Sequence, residues 1–346
     1  MNKSSAGRPP QSMARRFLFG LALLLLPLAV GVLSIGFGRL SIPVGEIVDI
    51  FASALSGAPQ QNAQLSAVVL TMRLPRVLLA LLVGGGLSAA GAAFQSLFAN
   101  PLATPDTLGV AAGASFGAAL GLLLGFDLIG VQIAALLMGF AAVLLTYSVS
   151  WGSERRSLTT VVLAGMVVSS LFSALISLVK FVADSDSQLP AITYWLMGSL
   201  DSANFHALLL GAPPILLGLI ALFGLRWRLN ILPLSDDEAR STGTNLPLLR
   251  GLVAFAATLI TASAVSMCGQ VGWVGLLIPH ICRMAFGGNN KVLIPASISL
   301  GAVFMVLIDT AARSLSASEI PISILTALIG APFFIGLLRK TGGWRL

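Results

Sequence analysis

Charge is what this chain has least of. Lys, Arg, Asp and Glu make up 10% of its 346 residues, while 56% are apolar. A water-soluble domain usually carries about 25% charge, so a fold that covers itself with polar surface in water is excluded and lipid is the expected solvent. Histidine and cysteine are almost missing, with two of each. His206 and His280 fall on opposite predicted sides of a membrane. Cys268 and Cys282 are separated by about 21 Å if the chain between them is helical. No zinc-like cluster follows, a disulfide is a poor reading, and the cysteines say nothing about redox compartment. The phosphate-binding pattern G-x-x-x-x-G-K-S/T is absent, so the chain is not expected to hydrolyse ATP or to carry a cofactor or metal. Paired carboxylates for acid–base work are missing from the apolar stretches, which leaves no catalytic set for a membrane enzyme. The same lack argues against an ion-coupled carrier, because intramembrane ionisable groups mark ion pathways. Asp309, near a predicted helix end, is the nearest candidate.

What is present is a series of long charge-free windows: 17–38, 77–105, 107–126, 128–153, 157–179, 202–225, 251–282, 292–308 and 320–338. A spanning helix needs about 20 apolar residues to cross roughly 30 Å of hydrocarbon. The window 251–282 is too long for one helix and is interrupted by Cys268-Gly269-Gln270-Val271-Gly272. Glycines weaken a helix interior, so it is read as two helices. Ten spans are therefore expected, in an all-α membrane protein. The 36 glycines suit close helix packing. Residues 1–16 form a basic tail before an uncleaved first span. Residues 17–340 read as a single transmembrane domain.

Ten spans put both termini on one side. With that side cytoplasmic, the outer segments hold only Arg39, Arg73, Arg76, Lys180 and Arg313 of the twenty Lys and Arg, as the positive-inside rule requires. The net charge of +7 thus comes from membrane-flanking loops, and nucleic acid is not the partner it suggests. Arg73 and Arg76 flank Pro75, which suits the first turn of a helix. They would sit at the positive end of a helix dipole, costing about 0.3–1 kcal/mol each, and on the wrong side of the membrane. Two readings remain open on charge alone: an anionic partner outside, or lipid phosphates reached by snorkelling. Arg313 follows Asp309 at a spacing that allows a pair on one helix face, and extends the basic rim.

The largest inner loop, 226–250, is patterned. Ser235 with Glu238 fits a capping box, Asp236 and Asp237 suit a first helical turn, Arg240 follows, and Gly243 fits a helix stop. A short surface helix is expected, with another after Asn245. It is either a plain linker or a docking knob for a cytoplasmic partner. Outside, residues 42–51 suggest an interfacial helix, and 183–205 a loop with a short helix.

From about Arg73 to Leu338 these residues resemble the FecCD family, the permease subunits of ATP-binding-cassette (ABC) importers for iron-siderophores, haem and cobalamin. The pieces are Arg73-Leu74-Pro75-Arg76, Gly84-Gly85-Gly86-Leu87-Ser88, Asn100-Pro101-Leu102-Ala103, Tyr194-Trp195-Leu196-Met197-Gly198-Ser199, Pro279-His280-Ile281 with Arg283, Glu319-Ile320-Pro321 and Gly330-Ala331-Pro332. The resemblance implies the type II importer architecture in the cytoplasmic (inner) membrane. It implies a dimer of permeases, alike or related, with two ATPase subunits below that bind ATP and Mg, and an extracytoplasmic solute-binding protein above. Two glutamates of that binding protein would dock on Arg73, Arg76 and Arg313. Residues Ser235, Asp236, Asp237, Glu238, Arg240 and Gly243 would fit a groove on the ATPase. Pro279, His280 and Arg283 are structural or coupling candidates, with His280 read as a helix cap. Ser323 stands where the family usually has glycine, and should stiffen the outer end of the last helix.

The expected function is alternating-access import of an iron(III)-siderophore, along a dimer axis lined by small and apolar residues of spans five, eight and ten. Haem, cobalamin or an oxyanion are alternative cargoes, and an ion-coupled secondary transporter is the alternative of another class. Replacing Arg73, Arg76 and Arg313 by Glu is expected to abolish uptake without unfolding.

Overall fold

The computed structural model describes residues 13–60, 62–150, 158–316 and 318–340. Most of the basic tail, the inner cations Arg155 and Arg156, and the side chain of Arg240 lie outside the described residues. Within them the chain is helical, with no strand. The helices are α1 (Met13–Gly36), α2 (Val44–Ser56), α3 (Ala63–Ala67), α4 (Leu74–Leu97), α5 (Val110–Leu123), α6 (Leu128–Ser150) and α7 (Leu158–Val182). Then come α8 (Gln188–Leu196), α9 (Phe205–Leu225), α10 (Asp236–Ser241), α11 (Leu246–Cys268), α12 (Val274–Phe286), α13 (Asn290–Leu315) and α14 (Ile322–Lys340).

Seven helical stretches are long and apolar enough to cross a bilayer, and α5, α12 and α14 are shorter apolar helices. Together they match the ten expected spans one for one, with α11 ending at Cys268 and α12 beginning at Val274. The 14 residues of α5 and the 13 of α12 rise only about 20 Å. The remaining depth is crossed by irregular chain, 98–109 before α5 and 269–273 before α12, packed against other helices. Non-helical backbone at such depth is tolerated only where protein or a cavity receives it. The expected outer helices are α2 and α8.

Two expectations are corrected. The helix carrying Arg73 and Arg76 does not begin there. Asn62 caps α3 by accepting from the backbone N–H groups of Gln64 and Leu65, both at 3.1 Å, and a π-helical stretch Val68–Arg73 joins α3 to α4. The helical run Ala63–Leu97 is 35 residues long, so the arginines lie in its interior and the dipole penalty does not arise. A separate short helix after Asn245 is also absent. Asn245 accepts from the Leu248 N–H at 3.1 Å and caps the spanning helix α11 directly.

Burial separates centre from periphery. In the most apolar window of Ala63–Leu97, 83% of residues are buried, against 17% for Phe17–Gly36. The exposed leucines and valines of α1, α6, α7 and α9, such as Leu25, Leu137, Val167 and Leu217, face the lipid. Close approach at glycine makes α4 central. A methyl added at Gly84 would strike the Gly301 carbonyl of α13, and one at Gly91 the Gly275 carbonyl of α12. At Gly86 it would press on Ile260 of α11 and Ile215 of α9. Overpacking a filled core costs about 1–3 kcal/mol. Gly84→Ala and Gly91→Ala are each expected to lose about that much stability in detergent unfolding. Gly224→Ala and Gly251→Ala, with nothing within 4 Å of the added methyl, should lose none. Equal effects at all four positions would contradict the central role of these contacts.

Candidate functional site

The Arg73 end of α4 answers why two arginines sit there. Arg73, Arg76 and Arg313 are brought together but are buried, at 8, 8 and 7% exposure. The C-terminal turn of α1 ends beside them, and its last carbonyls lack helical partners. Arg73 donates from Nη1 to the Ile35 carbonyl at 2.6 Å and from Nη2 to the Leu40 carbonyl at 2.5 Å. Arg313 Nη2 donates to the Ser34 carbonyl at 2.6 Å and to Ser34 Oγ at 2.7 Å. Cations at a helix C-terminus also meet the negative end of its dipole.

Arg76 holds the acids. Its Nε donates to Asp309 Oδ1 at 2.7 Å, and its Nη1 to Glu319 Oε1 at 2.9 Å. Nη2 stands 2.8 Å from Glu319 Oε2, so both carboxylate oxygens lie against the guanidinium, one of them hydrogen-bonded. Asp309 is fully buried and also faces Arg313 Nε at 3.4 Å, so the i,i+4 pair is present within a larger network. The exposed basic rim expected from the sequence is instead a covered cluster, held by α1, α13 and the α13–α14 turn. Glutamate at position 76 or 313 would meet Asp309, so the triple charge reversal would break this cluster rather than leave the fold intact. Glu319 was not singled out by charge reasoning, because its partner lies 243 residues away.

At the other end of α4, Arg283 Nη2 donates to Gln95 Oε1 at 3.2 Å and Ser96 Oγ bonds Asn290 Oδ1 at 3.1 Å. Asn230, in the 226–250 loop, accepts from the Asn290 N–H at 2.8 Å and donates to Asn289 Oδ1 at 3.2 Å. The loop is thereby tied to the start of α13 and, through Asn290 and Ser96, to the last turn of α4. The capping box is formed: Ser235 Oγ donates to Glu238 Oε2 at 2.8 Å and accepts from the Glu238 N–H at 3.4 Å. These bonds hold the Glu238 carboxyl below the usual carboxylate range, the Ser235 hydroxyl being the largest cause. Its capping is therefore present at neutral pH and lost as pH falls through that lowered value. Asp236 pairs with Arg250 at 2.7 Å, fixing α10 on α11, and Gly243 takes the left-handed φ of +72° that ends it.

His280 is not a helix cap. Pro279 and His280 lie in the middle of α12, and the buried imidazole packs on Phe333 and Phe334 of α14, with ring centroids 6.4 and 5.6 Å away. Neither ring nitrogen has a hydrogen-bond partner among the described residues.

Between the two ends lies a cavity of about 330 Å³, lined by residues that include Thr104, Asp106, Thr261, Gln270, Trp273 and Ser323. Its described lining comes from α4, α5, α8, α11, α12 and α14 and the chain between them, so spans eight and ten take part but span five, α7, does not, and the wall is more polar than the apolar path read from the sequence. Asp106 is exposed on this wall and makes no ion pair among the described residues. It was missed because it stands at the edge of an apolar window. Trp273 adopts φ +70° at the start of α12, a strained conformation of a kind that clusters at functional sites, and a methyl on Gly330 would collide with its indole.

Residues 24–340 match the FecCD transport family. The chain belongs to the FecCD transport family. Among FecCD-family relatives, it is 44% identical to the molybdate import system permease protein MolB of Haemophilus influenzae, over 94% of this chain and 96% of that protein. It is 38% identical to a Helicobacter pylori protein named a probable iron chelatin transport system permease, over 94% and 98%. Among solved structures, it resembles an inward-facing transporter assigned to the metal-chelate type of ABC transporter, with TM-score 0.84 and 41% identity over 93% of this chain and 99% of that one.

Breaking a buried ion pair from one side costs about 3–5 kcal/mol. Asp309→Asn should therefore lower the unfolding free energy in detergent by about that amount. A loss within the ~0–1 kcal/mol of a surface pair would show that the cluster is not a support of the fold.

Proposed function

We propose that this FecCD-family chain is the permease subunit of an ABC importer of the cytoplasmic membrane, with both termini inside and a metal oxyanion such as molybdate as cargo. One observation carries the cargo: 44% identity to the molybdate permease across 94% of the chain, against 38% to the iron-chelatin one. The working unit is a dimer of permeases, fed from outside by a solute-binding protein and driven by two ATPase subunits that bind ATP and Mg. Cargo passes by alternating access. The outer arginine cluster receives carboxylates of the binding protein. The exposed α10, capped by Ser235 and Glu238, meets the ATPase, and the Asn230–Asn290 bonds pass its movement to α13 and α4.

A second cargo, the iron-siderophore class, is favoured by Asp106. An unpaired carboxylate on the cavity wall repels an oxyanion and tolerates a metal chelate. Cells lacking their own importers and expressing the whole operon should deplete labelled molybdate from the medium and leave ferric siderophore behind. Uptake of iron chelate without molybdate would reverse the order of the two cargoes.

The coupling role has its own test. Ala239→Pro removes the N–H that donates to the Ser235 carbonyl at 2.9 Å and disrupts α10. ATP-driven uptake by the assembled importer should fall to background, with the permease still folded and membrane-inserted. Unchanged uptake would remove α10 from coupling. Accumulation by the lone chain in proteoliposomes under an ion gradient would replace the importer with a secondary transporter.

A further inference from the structure

We propose that Glu319 is a built-in occupant of the outer arginine cluster, a latch that a partner's carboxylate must displace, and that its release is felt at the cavity. The proposal rests on the docking role given above and adds how that role is regulated. Three observations carry it. First, the arginines are covered: Arg73, Arg76 and Arg313 are each below 9% exposed. Glu319 is the one acidic member that reaches solvent, its side chain 27% accessible against 1% for Asp309. An acidic partner approaching from outside therefore meets Glu319 before it meets Arg76. Second, the geometry is that of an exchangeable ligand. Both Glu319 oxygens lie within 2.9 Å of Arg76, one of them hydrogen-bonded, a contact that any carboxylate can make, whereas Asp309 is held between Arg76 and Arg313 and stays. Exchange leaves Arg76 paired throughout, so no buried cation is stranded at any stage.

Third, Glu319 sits on a segment bonded step by step to the cavity wall. The Ile320 N–H donates to the Ala312 carbonyl at 3.3 Å, and the Ile322 N–H to the Gly198 carbonyl at 2.9 Å. Ser323 Oγ donates to the Met197 carbonyl at 2.6 Å. The Ser199 N–H donates to the Cys268 carbonyl at 2.9 Å. Next along the chain, Gln270, Val271, Gly272 and Trp273 line the cavity, as does Ser323 itself. Freeing Glu319 loosens the start of α14 and, through 197–199, the turn between α11 and α12. A carboxylate docking outside thereby biases the wall that surrounds the cargo, which is the differential contact that coupling requires.

The test uses the full importer in lipid nanodiscs and its own solute-binding protein, labelled and cargo-free. Glu319→Gln removes the internal competitor and should tighten docking about tenfold, within the 5–150-fold usual for coupled sites. In the same variant without the binding protein, the amides of Ile322 and Ser199 should exchange hydrogen faster than in the parent. Arg73→Gln removes a cation that has no acidic partner in the described residues and should weaken docking. Unchanged or weaker docking in Glu319→Gln, or unchanged exchange at both amides, overturns the latch. If Arg73→Gln still weakens docking in that case, the docking role survives without the latch. If neither variant alters docking, both fall.

Discussion

Everything in this molecule depends on how closely α4 is approached by its neighbours. Lipid tails are as apolar as leucine, so helices in a membrane gain little from burying apolar area against one another. They hold together where backbones touch. Gly84 meets Gly301 and Gly91 meets Gly275, which places α13 and α12 directly on α4. Side chains there would push the helices apart. With its middle clamped, α4 has two ends whose positions are set, and both ends carry the polar groups that matter.

One end carries Arg73 and Arg76, the other Gln95 and Ser96. Each end is bonded to a segment that can move. Arg76 holds the α13–α14 turn through Glu319. Ser96 and Arg283 hold the starts and ends of α13 and α12 near the inner loop. A rigid strut between two polar contacts suits a machine in which an event on one face must be felt on the other. The strut itself need not bend, because the elements bonded to it can shift against it.

Much of this was legible in the sequence. Charges partition the chain into spans because a charge at the bilayer centre is expensive, and Gly269 and Gly272 divide α11 from α12 because glycine weakens a helix. The Ser235–Glu238 box was readable because capping is local in sequence. What escaped was long-range or weakly patterned. The stretch Ala63–Met72 carries no charge, but Arg73 and Arg76 cut the apolar run and Pro75 offered a false start. The burial of the arginines could not be read because Asp309 and Glu319 join them from 233 and 243 residues away. Pro279 suggested a helix end for His280. Proline removes one intrahelical bond, but packing on Phe333 and Phe334 keeps α12 intact through it.

In the docking proposed for the covered arginines, a weak kind of contact is made selective. An exposed ion pair contributes about 0–1 kcal/mol and is screened by salt, so an open basic rim would attract any acidic surface at low salt and hold none of them firmly. Placing the cations under a carboxylate of the chain's own changes the comparison. A partner gains only the difference between its carboxylate and Glu319, plus whatever shape it fits around the α13–α14 turn. Random acidic surfaces offer the first and lack the second. Discrimination then comes from displacement rather than attraction, and cargo selection can reside in the partner.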